Sequence, residues 1–309
     1  MSTTNNPDPI TLVENSGWDP RILVARCGEL VDVFVVLSQR YLIVVDTLAT
    51  PQAVHQLMGL IEQHRAGRQL LVINTHSHWD HTWGNQCFAA PDAAYPAPII
   101  GTRRCAEELL GPEGQATLTK MRDAEPERFG DVRLYAPTVQ FDQYLRIDGG
   151  DLTLELFDTN GHSPDHIAIF IPEIATLLAG DAAEMPFPLV DTAATLPQLR
   201  ASLQRMADLN AQVALYCHAP GISDPALITR NIAYFDLLEQ RCRAALAQSA
   251  PPATDEGSAL EEYIGFPFAE TVPPDRDANA LEGFYRPYHQ AAIRAMLEHL
   301  AASAKAPML

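Results

Sequence analysis

Four side chains able to bind a metal, His76, His78, Asp80 and His81, follow directly on the apolar run Leu70–Ile73. The run reads as a short buried strand that empties into them. Alternation along an extended segment points His76 and His78 the same way, while a turn after Trp79 lets Asp80 and His81 address a neighbouring point. That geometry suits two adjacent metals better than one. Three further strand ends carry ligand types: Leu154–Phe157 leads to Asn160-Gly161-His162-Ser163-Pro164-Asp165-His166, Thr176–Leu178 to Ala179-Gly180-Asp181, and Val213–Tyr216 to Cys217-His218. Gly161 and Gly180 permit the close backbone approach that a crowded site demands. Taken singly, each His or Asp reads as a hydrogen-bonded turn residue; taken with the first cluster, they read as ligands. Imidazole and carboxylate donors without thiolate suit zinc, the default, and also iron or manganese.

The elements that must position these groups follow from hydrophobic periodicity. Ile22–Arg26, Val31–Leu37 and Tyr41–Val45 are apolar and rich in β-branched residues, and they read as a meander of strands closed by Asp46. Pro51 then opens a helix with Val54, Leu57, Leu60 and Ile61 on one stripe, leaving His55 and His64 facing solvent. Ile99-Ile100 and Thr102–Leu110 form a further strand and helix. Residues 111–137 are polar and broken by proline and glycine, so they read as an excursion from the core, either a surface loop with some helix or the lining of a substrate entrance. A second set of strands runs from Thr138 to Leu178, followed by a helix over Leu196–Leu209 and a last strand at Val213–Cys217. Pro225–Ala247 is helical. A linker, Gln248–Ser258, precedes a final helical piece with Ile293, Met296, Leu297 and Leu300 on its stripe, where His289 and His299 read as surface residues.

Composition narrows the function classes. A net charge of −18, from 39 acidic against 21 basic residues, argues against a nucleic-acid partner, which needs a positive footprint. The polar start lacks a signal-peptide pattern, and no run of apolar residues is long enough to span a bilayer, so a cytoplasmic protein without a membrane partner is expected. The five cysteines, Cys27, Cys87, Cys105, Cys217 and Cys242, lack CxxC spacing and read as buried thiols.

The pattern His76-x-His78-x-Asp80-His81, Gly161-His162, Gly180-Asp181 and His218, spread over roughly residues 20 to 235, resembles the signature of the metallo-β-lactamase superfamily. The resemblance implies an α/β (α+β) fold, a four-layer αβ/βα sandwich with two mixed sheets packed face to face between helices and the metals at one sheet edge. It implies the domain division 1–20 as a flexible N-terminus, 21–236 as the catalytic domain and 237–309 as a helical C-terminal extension. It further implies that His76, His78 and His162 hold one ion, that Asp80, His81 and His218 hold the second, and that Asp181 bridges them. Two divalent ions so placed could supply a hydroxide nucleophile and polarise a scissile carbonyl or phosphoryl oxygen. Asp80 is a candidate to carry the proton to the leaving group, making Asp80 and Asp181 the catalytic carboxylates. Asp46, similar to the superfamily's first-motif aspartate, is the candidate to orient a ligand imidazole; His166 is either another or a structural histidine.

Within the superfamily, the bridging position of Asp181, shared with lactonases and glyoxalase II-like thioesterases, disfavours antibiotic hydrolysis, and the turn at Gly161–His166 is especially similar to the glyoxalase II type. The C-terminal part holds scattered cations, Arg276, Arg286, Arg294 and Lys305, without a glutathione-binding motif. Its helices have three roles open to them: packing, a homodimer surface and substrate contact. Glu184 and its neighbours Met185–Pro188, with Trp79 and Trp83, are expected to rim an apolar pocket, so a small ester, thioester or lactone is the expected substrate. A phosphodiesterase on the same dinuclear site, a mononuclear-iron persulfide dioxygenase-like oxidoreductase, and a non-enzymatic metal-binding module are the alternatives.

Overall fold

The computed structural model describes residues 9–190, 192–252 and 257–305, with residues 304 and 305 described by backbone alone. The chain divides into two compact units. The first holds residues up to Asp158 together with Asp165–Gly180 and Ala211–Ser223, and the second holds Thr159–Pro164, Asp181–Asn210 and Asp224 onward.

The first unit contains two mixed sheets. One has β1 (Ile10–Leu12), β2 (Ile22–Cys27), β3 (Val31–Leu37), β4 (Tyr41–Val45), β5 (Gln69–Ile73), β6 (Ile99–Thr102) and β7 (Val139–Phe141) in that spatial order. Strands β1 to β4 pair antiparallel and β4 to β7 parallel. The other comprises β8 (Tyr144–Asp148), β9 (Thr153–Asp158), β10 (Ile167–Ile171), β11 (Thr176–Gly180) and β12 (Val213–Tyr216), in the order β12-β11-β10-β9-β8. One hydrophobic cluster joins them, with Phe34, Val44 and Ile73 from the first sheet and Leu154, Ile169 and Leu178 from the second. Every residue of β3, Val-Asp-Val-Phe-Val-Val-Leu, is buried, as expected for a strand covered on both faces.

Helix α1 (Pro51–Ile61) adds Val54, Leu57, Met58 and Ile61 to that core. Its start is set by Thr50, whose side chain accepts from the Ala53 N–H, and by Pro51 in the first turn, where a missing N–H costs nothing. The short α2 (Trp79–Thr82) and α3 (Gln86–Ala89) follow β5, and α4 (Arg103–Leu110) follows β6. The excursion at 111–137 is largely helical, with α5 (Pro112–Ala124) and α6 (Pro126–Phe129). Its Leu118, Phe129 and Val132 form a satellite core with Ala49 and Trp83.

The second unit is built from α7 (Leu196–Asp208), α8 (Ala226–Leu246), α9 (Gly257–Ile264) and α10 (Ala278–Lys305). Arg200 of α7 pairs with Asp236 and Glu239 of α8. No helix among the described residues is long and apolar enough to cross a membrane.

Three expectations are corrected. Of the N-terminal stretch expected to be flexible, residues 1–8 lie outside the described residues, but Ile10–Leu12 is a sheet strand paired with Ala25–Cys27, and Trp18 is buried. The boundary at 236/237 falls inside α8, which runs unbroken through it because its apolar stripe Leu227, Tyr234, Phe235, Leu238 and Cys242 continues past that point. His289 is fully buried rather than on the surface: Tyr234 Oη lies 2.9 Å from its Nδ1 and the Phe266 carbonyl 2.9 Å from its Nε2, which satisfies both ring nitrogens. Part of the expected linker, residues 253–256, lies outside the described residues.

Candidate metal centre

The parallel register pairs Val45 with Ile73 and Ile73 with Ile100, so the carboxyl ends of β4, β5 and β6 lie at one rim. There the chain turns sharply. Asp46 has φ +69°, a left-handed conformation that Asp tolerates better than most residues, and its N–H donates to the Ile73 carbonyl. Thr47 N–H donates to the His81 carbonyl at 2.7 Å, which ties the end of β4 to the His-rich turn. Asn74 and Asn85 exchange side-chain hydrogen bonds of 3.1 and 2.8 Å, and Thr82 Oγ1 lies 2.9 Å from the His78 carbonyl and 3.1 Å from that of Ser77, with one proton to share between them. The turn carrying the candidate ligands is therefore held by buried polar groups on both sides.

Asp46 organises two of the histidines. Its Oδ2 lies 2.8 Å from His81 Nδ1 and accepts from the Thr75 hydroxyl at 2.7 Å, while Oδ1 accepts from the Thr75 N–H at 2.8 Å. The same Thr75 hydroxyl lies 3.0 Å from His76 Nδ1. A hydroxyl has one proton to give, so with that proton on Asp46, Thr75 accepts from His76 Nδ1–H. Both imidazoles then carry their proton on Nδ1 and present Nε2 as the donor atom. Burial pushes the Asp46 carboxyl up from its usual range, while His81 and both Thr75 donors pull it back towards the ionised form. Thr75 is a site residue that spacing alone does not reveal, because nothing in its local sequence marks a hydroxyl that links two distant side chains.

Asp80, His81 and His218 converge. Asp80 Oδ2 is 3.6 Å from His81 Nε2 and 3.4 Å from His218 Nε2, and the three residues offer ligand atoms within 4.8 Å of one another. Donors about 2.0–2.2 Å from one tetrahedral ion are about 3.3–3.6 Å apart, so this spacing fits a shared metal. The His76 ring lies 4.5 Å from that of His78 and 4.2 Å from that of His81. His166 packs behind His76 at 4.9 Å, and a Cβ at Gly180 would come within 2.7 Å of His166 Nε2, which accounts for a glycine there. Trp79 stands beside the ligands with its ring edge-on to Phe129 of α6 at 5.8 Å and Arg128 above it, so the excursion forms a wall against the turn.

In the second unit, His162 Nε2 lies 3.5 Å from Asp181 Oδ2, again at ligand spacing, and its Nδ1 faces Glu184 at 3.6 Å. All three are buried. Gly161 has φ +131°, and a Cβ there would meet the backbone of Leu199 at 2.3 Å, so the turn that presents His162 requires glycine. Asp181 follows Gly180, where φ is +58° and the β11–β12 register shifts, re-aiming the chain as it leaves the strand. The buried imidazole and carboxylate sets in both units suit hard or borderline divalent ions.

Comparison with known proteins places the chain in a family. Residues 28–218 match the family model described as the Metallo-beta-lactamase superfamily. The chain is 28% identical over 185 residues to a hydroxyacylglutathione hydrolase of Saccharophagus degradans, covering 58% of this chain and 57% of that protein. It is 30% identical over 128 residues to a hydroxyacylglutathione hydrolase of Hahella chejuensis, covering 40% and 37% respectively. The alignments thus span about half or less of these relatives' length. A metallo-beta-lactamase family protein from Thermus thermophilus superposes with a TM-score of 0.59 at 21% identity, covering 96% of this chain and 94% of that one, a likeness of fold.

Proposed function

Because this chain belongs to the metallo-beta-lactamase superfamily, we propose that it is a hydrolase that uses two divalent ions, zinc by default with iron or manganese also suited, on an ester, thioester or lactone bond of a small molecule. The observation that carries the dinuclear reading is the spacing of Asp80, His81 and His218, with the His81 tautomer set by buried Asp46. A mononuclear scheme would leave that second set of ligands idle. In this reading His76, His78 and His162 hold one ion, Asp80, His81 and His218 the other, and Asp181 bridges.

When bound, such ions act as Lewis acids and bring the pKa of water towards about 7. The protein's own groups do the rest. Asp46 and Thr75 keep the His76 and His81 nitrogens correctly protonated. Asp80 faces the two imidazoles through Oδ2, and Oδ1 is the atom proposed to hold the proton destined for the leaving group. Trp79, packed on Phe129, supplies an apolar wall.

The relatives named hydroxyacylglutathione hydrolase support thioester chemistry, but glutathione itself is a poor fit. Arg286 is committed to Glu261 at 2.8 Å and Glu282 at 2.6 Å, and Arg276 lies 3.8 Å from Asp275. An acidic chain of net charge −18 likewise supports a neutral acyl substrate over a nucleic acid. Five buried thiols are in keeping with a reducing, cytoplasmic setting.

The test is elemental analysis of the purified protein, followed by turnover of aryl esters, lactones, thioesters and bis-aryl phosphates with and without chelator. About two ions per chain and chelator-sensitive cleavage of one carbonyl class are expected. About one iron per chain, oxygen uptake and no hydrolysis would overturn the proposal.

A further inference from the structure

Within the second unit the His162 imidazole lies between two carboxylates, Asp181 on the Nε2 side at 3.5 Å and Glu184 on the Nδ1 side at 3.6 Å. Glu184 is only 2% exposed, and burying a carboxylate is costly unless other groups compensate it. One compensating group comes from far along the chain. Tyr285 of α10, itself buried, donates its hydroxyl to Glu184 Oε2 at 3.2 Å across 101 residues.

The backbone around Glu184 is clamped as well. Asn231 of α8 accepts from the Glu184 N–H at 3.1 Å and donates to the Glu184 and Pro186 carbonyls at 2.8 and 3.2 Å. Phe187 stacks on Tyr234 of α8 at 4.4 Å and meets Tyr285 of α10 edge-on at 5.9 Å. The segment that follows Asp181 is thus fixed by both long C-terminal helices.

We propose that Glu184 is a positioning residue for His162 and that Tyr285 holds Glu184 in place, so that α8 and α10 set the geometry of the metal ligands in this unit. Glu184 favours the proton on Nδ1, which directs the Nε2 lone pair towards the side where Asp181 lies, and a carboxylate behind a ligand imidazole raises its basicity. Burial keeps the Tyr285 phenol protonated by pushing its pKa up, so it stays a donor. The inference rests on the reading of His162 and Asp181 as ligands.

Two isosteric changes separate this role from packing. Tyr285→Phe keeps the ring against Phe187 and removes only the hydroxyl. Glu184→Gln keeps an acceptor for Tyr285 but removes the charge that faces His162. Ion affinity would be measured by competition with a chromogenic chelator, ligand geometry by the visible spectrum of the cobalt-substituted protein, and folding by thermal unfolding of the chelator-treated chain. Both variants are expected to stay folded at the assay temperature, Tyr285→Phe unfolding several degrees below the parent because a buried carboxylate loses a donor, to bind zinc about 10- to 100-fold more weakly, and to show shifted cobalt bands. Tyr288→Phe, one turn along the same helix and partly exposed, should match the parent in all three. Affinity within twofold of the parent and an unchanged cobalt spectrum in Tyr285→Phe would overturn the proposal, and that variant decides alone if Glu184→Gln does not fold. A parent chain that binds no ion would overturn the metal reading itself, a different result from unchanged variants of an ion-binding parent.

Discussion

Asp46 Oδ2 lies 2.8 Å from His81 Nδ1, with neither side chain exposed to solvent. In so dry a setting the carboxylate decides which ring nitrogen carries the proton. Asp46→Asn keeps the shape but removes the charge and presents a donor where His81 also donates. A loss of about 10- to 100-fold in kcat/KM and weaker binding of one ion are expected, read by kinetics and metal analysis.

His218→Ala and His81→Ala each remove one of the three donors of a single cluster. Each is expected to lower the metal content by about one ion per chain and to abolish most hydrolysis. His55 is exposed and bonded to Tyr95, and His64 closes a turn at the far end of α1. Alanine at either should leave metal content and turnover unchanged. Full stoichiometry in the first pair would refute the dinuclear assignment.

Gly161→Ala tests the turn that presents His162. The new methyl would need φ +131° and would lie 2.3 to 2.5 Å from the N, Cα and Cβ atoms of Leu199, which begins α7's second turn and cannot retreat without moving the helix. A destabilisation of roughly 3 kcal/mol is expected from strain and overpacking together, read from the denaturant midpoint. A variant as stable as the parent would show that the turn has room to spare.

His289 links stability to pH. Burial lowers its pKa below the ordinary 6.5, while the Phe266 carbonyl and Glu261 oppose the shift and Arg286 reinforces it. The unfolded chain therefore takes up a proton near 6.5 that the folded chain still declines. Its contribution is complete above that pH and is lost as pH falls through the lowered folded value. The urea midpoint of the parent should drop between pH 6.5 and 5 by more than that of His289→Gln, in which no ring titrates. Equal slopes would remove His289 from the account.

The strands and the turns that carry the candidate ligands were legible because each obeys a local rule. Residues Tyr41–Val45 are a continuous apolar run that becomes a buried strand, Pro51 starts a helix after Thr50, and glycines at 161 and 180 occupy positive φ beside histidine and aspartate. What escaped local reading depends on partners remote in sequence. Thr75 looks like any strand-end threonine until Asp46 and His76 are seen at either side of it. His289 looks like a surface residue on a helix until Tyr234 and Phe266 supply its two hydrogen bonds. Tyr285 offers no sign of its contact with Glu184, because 101 residues separate the two. The helices at 112–129 were hidden by Pro112 and Pro126, which break a loop reading no more than a helical one, since proline is tolerated in a first turn.

The parallel course of β4 and β5 gives the first unit one rim that carries the candidate ligands and an opposite rim that carries none of those named above. Strand β5 runs five residues from Gln69 to Ile73, a rise of about 16 Å, before the ligand turn begins. At its starting end Gln69 is exposed, just past a turn in which Ala66 and Gly67 hold positive φ. A cysteine at Gln69 would tether the protein to a bead or an electrode with the rim that carries the candidate ligands turned outward, a form suited to flow-through assay of unknown substrates.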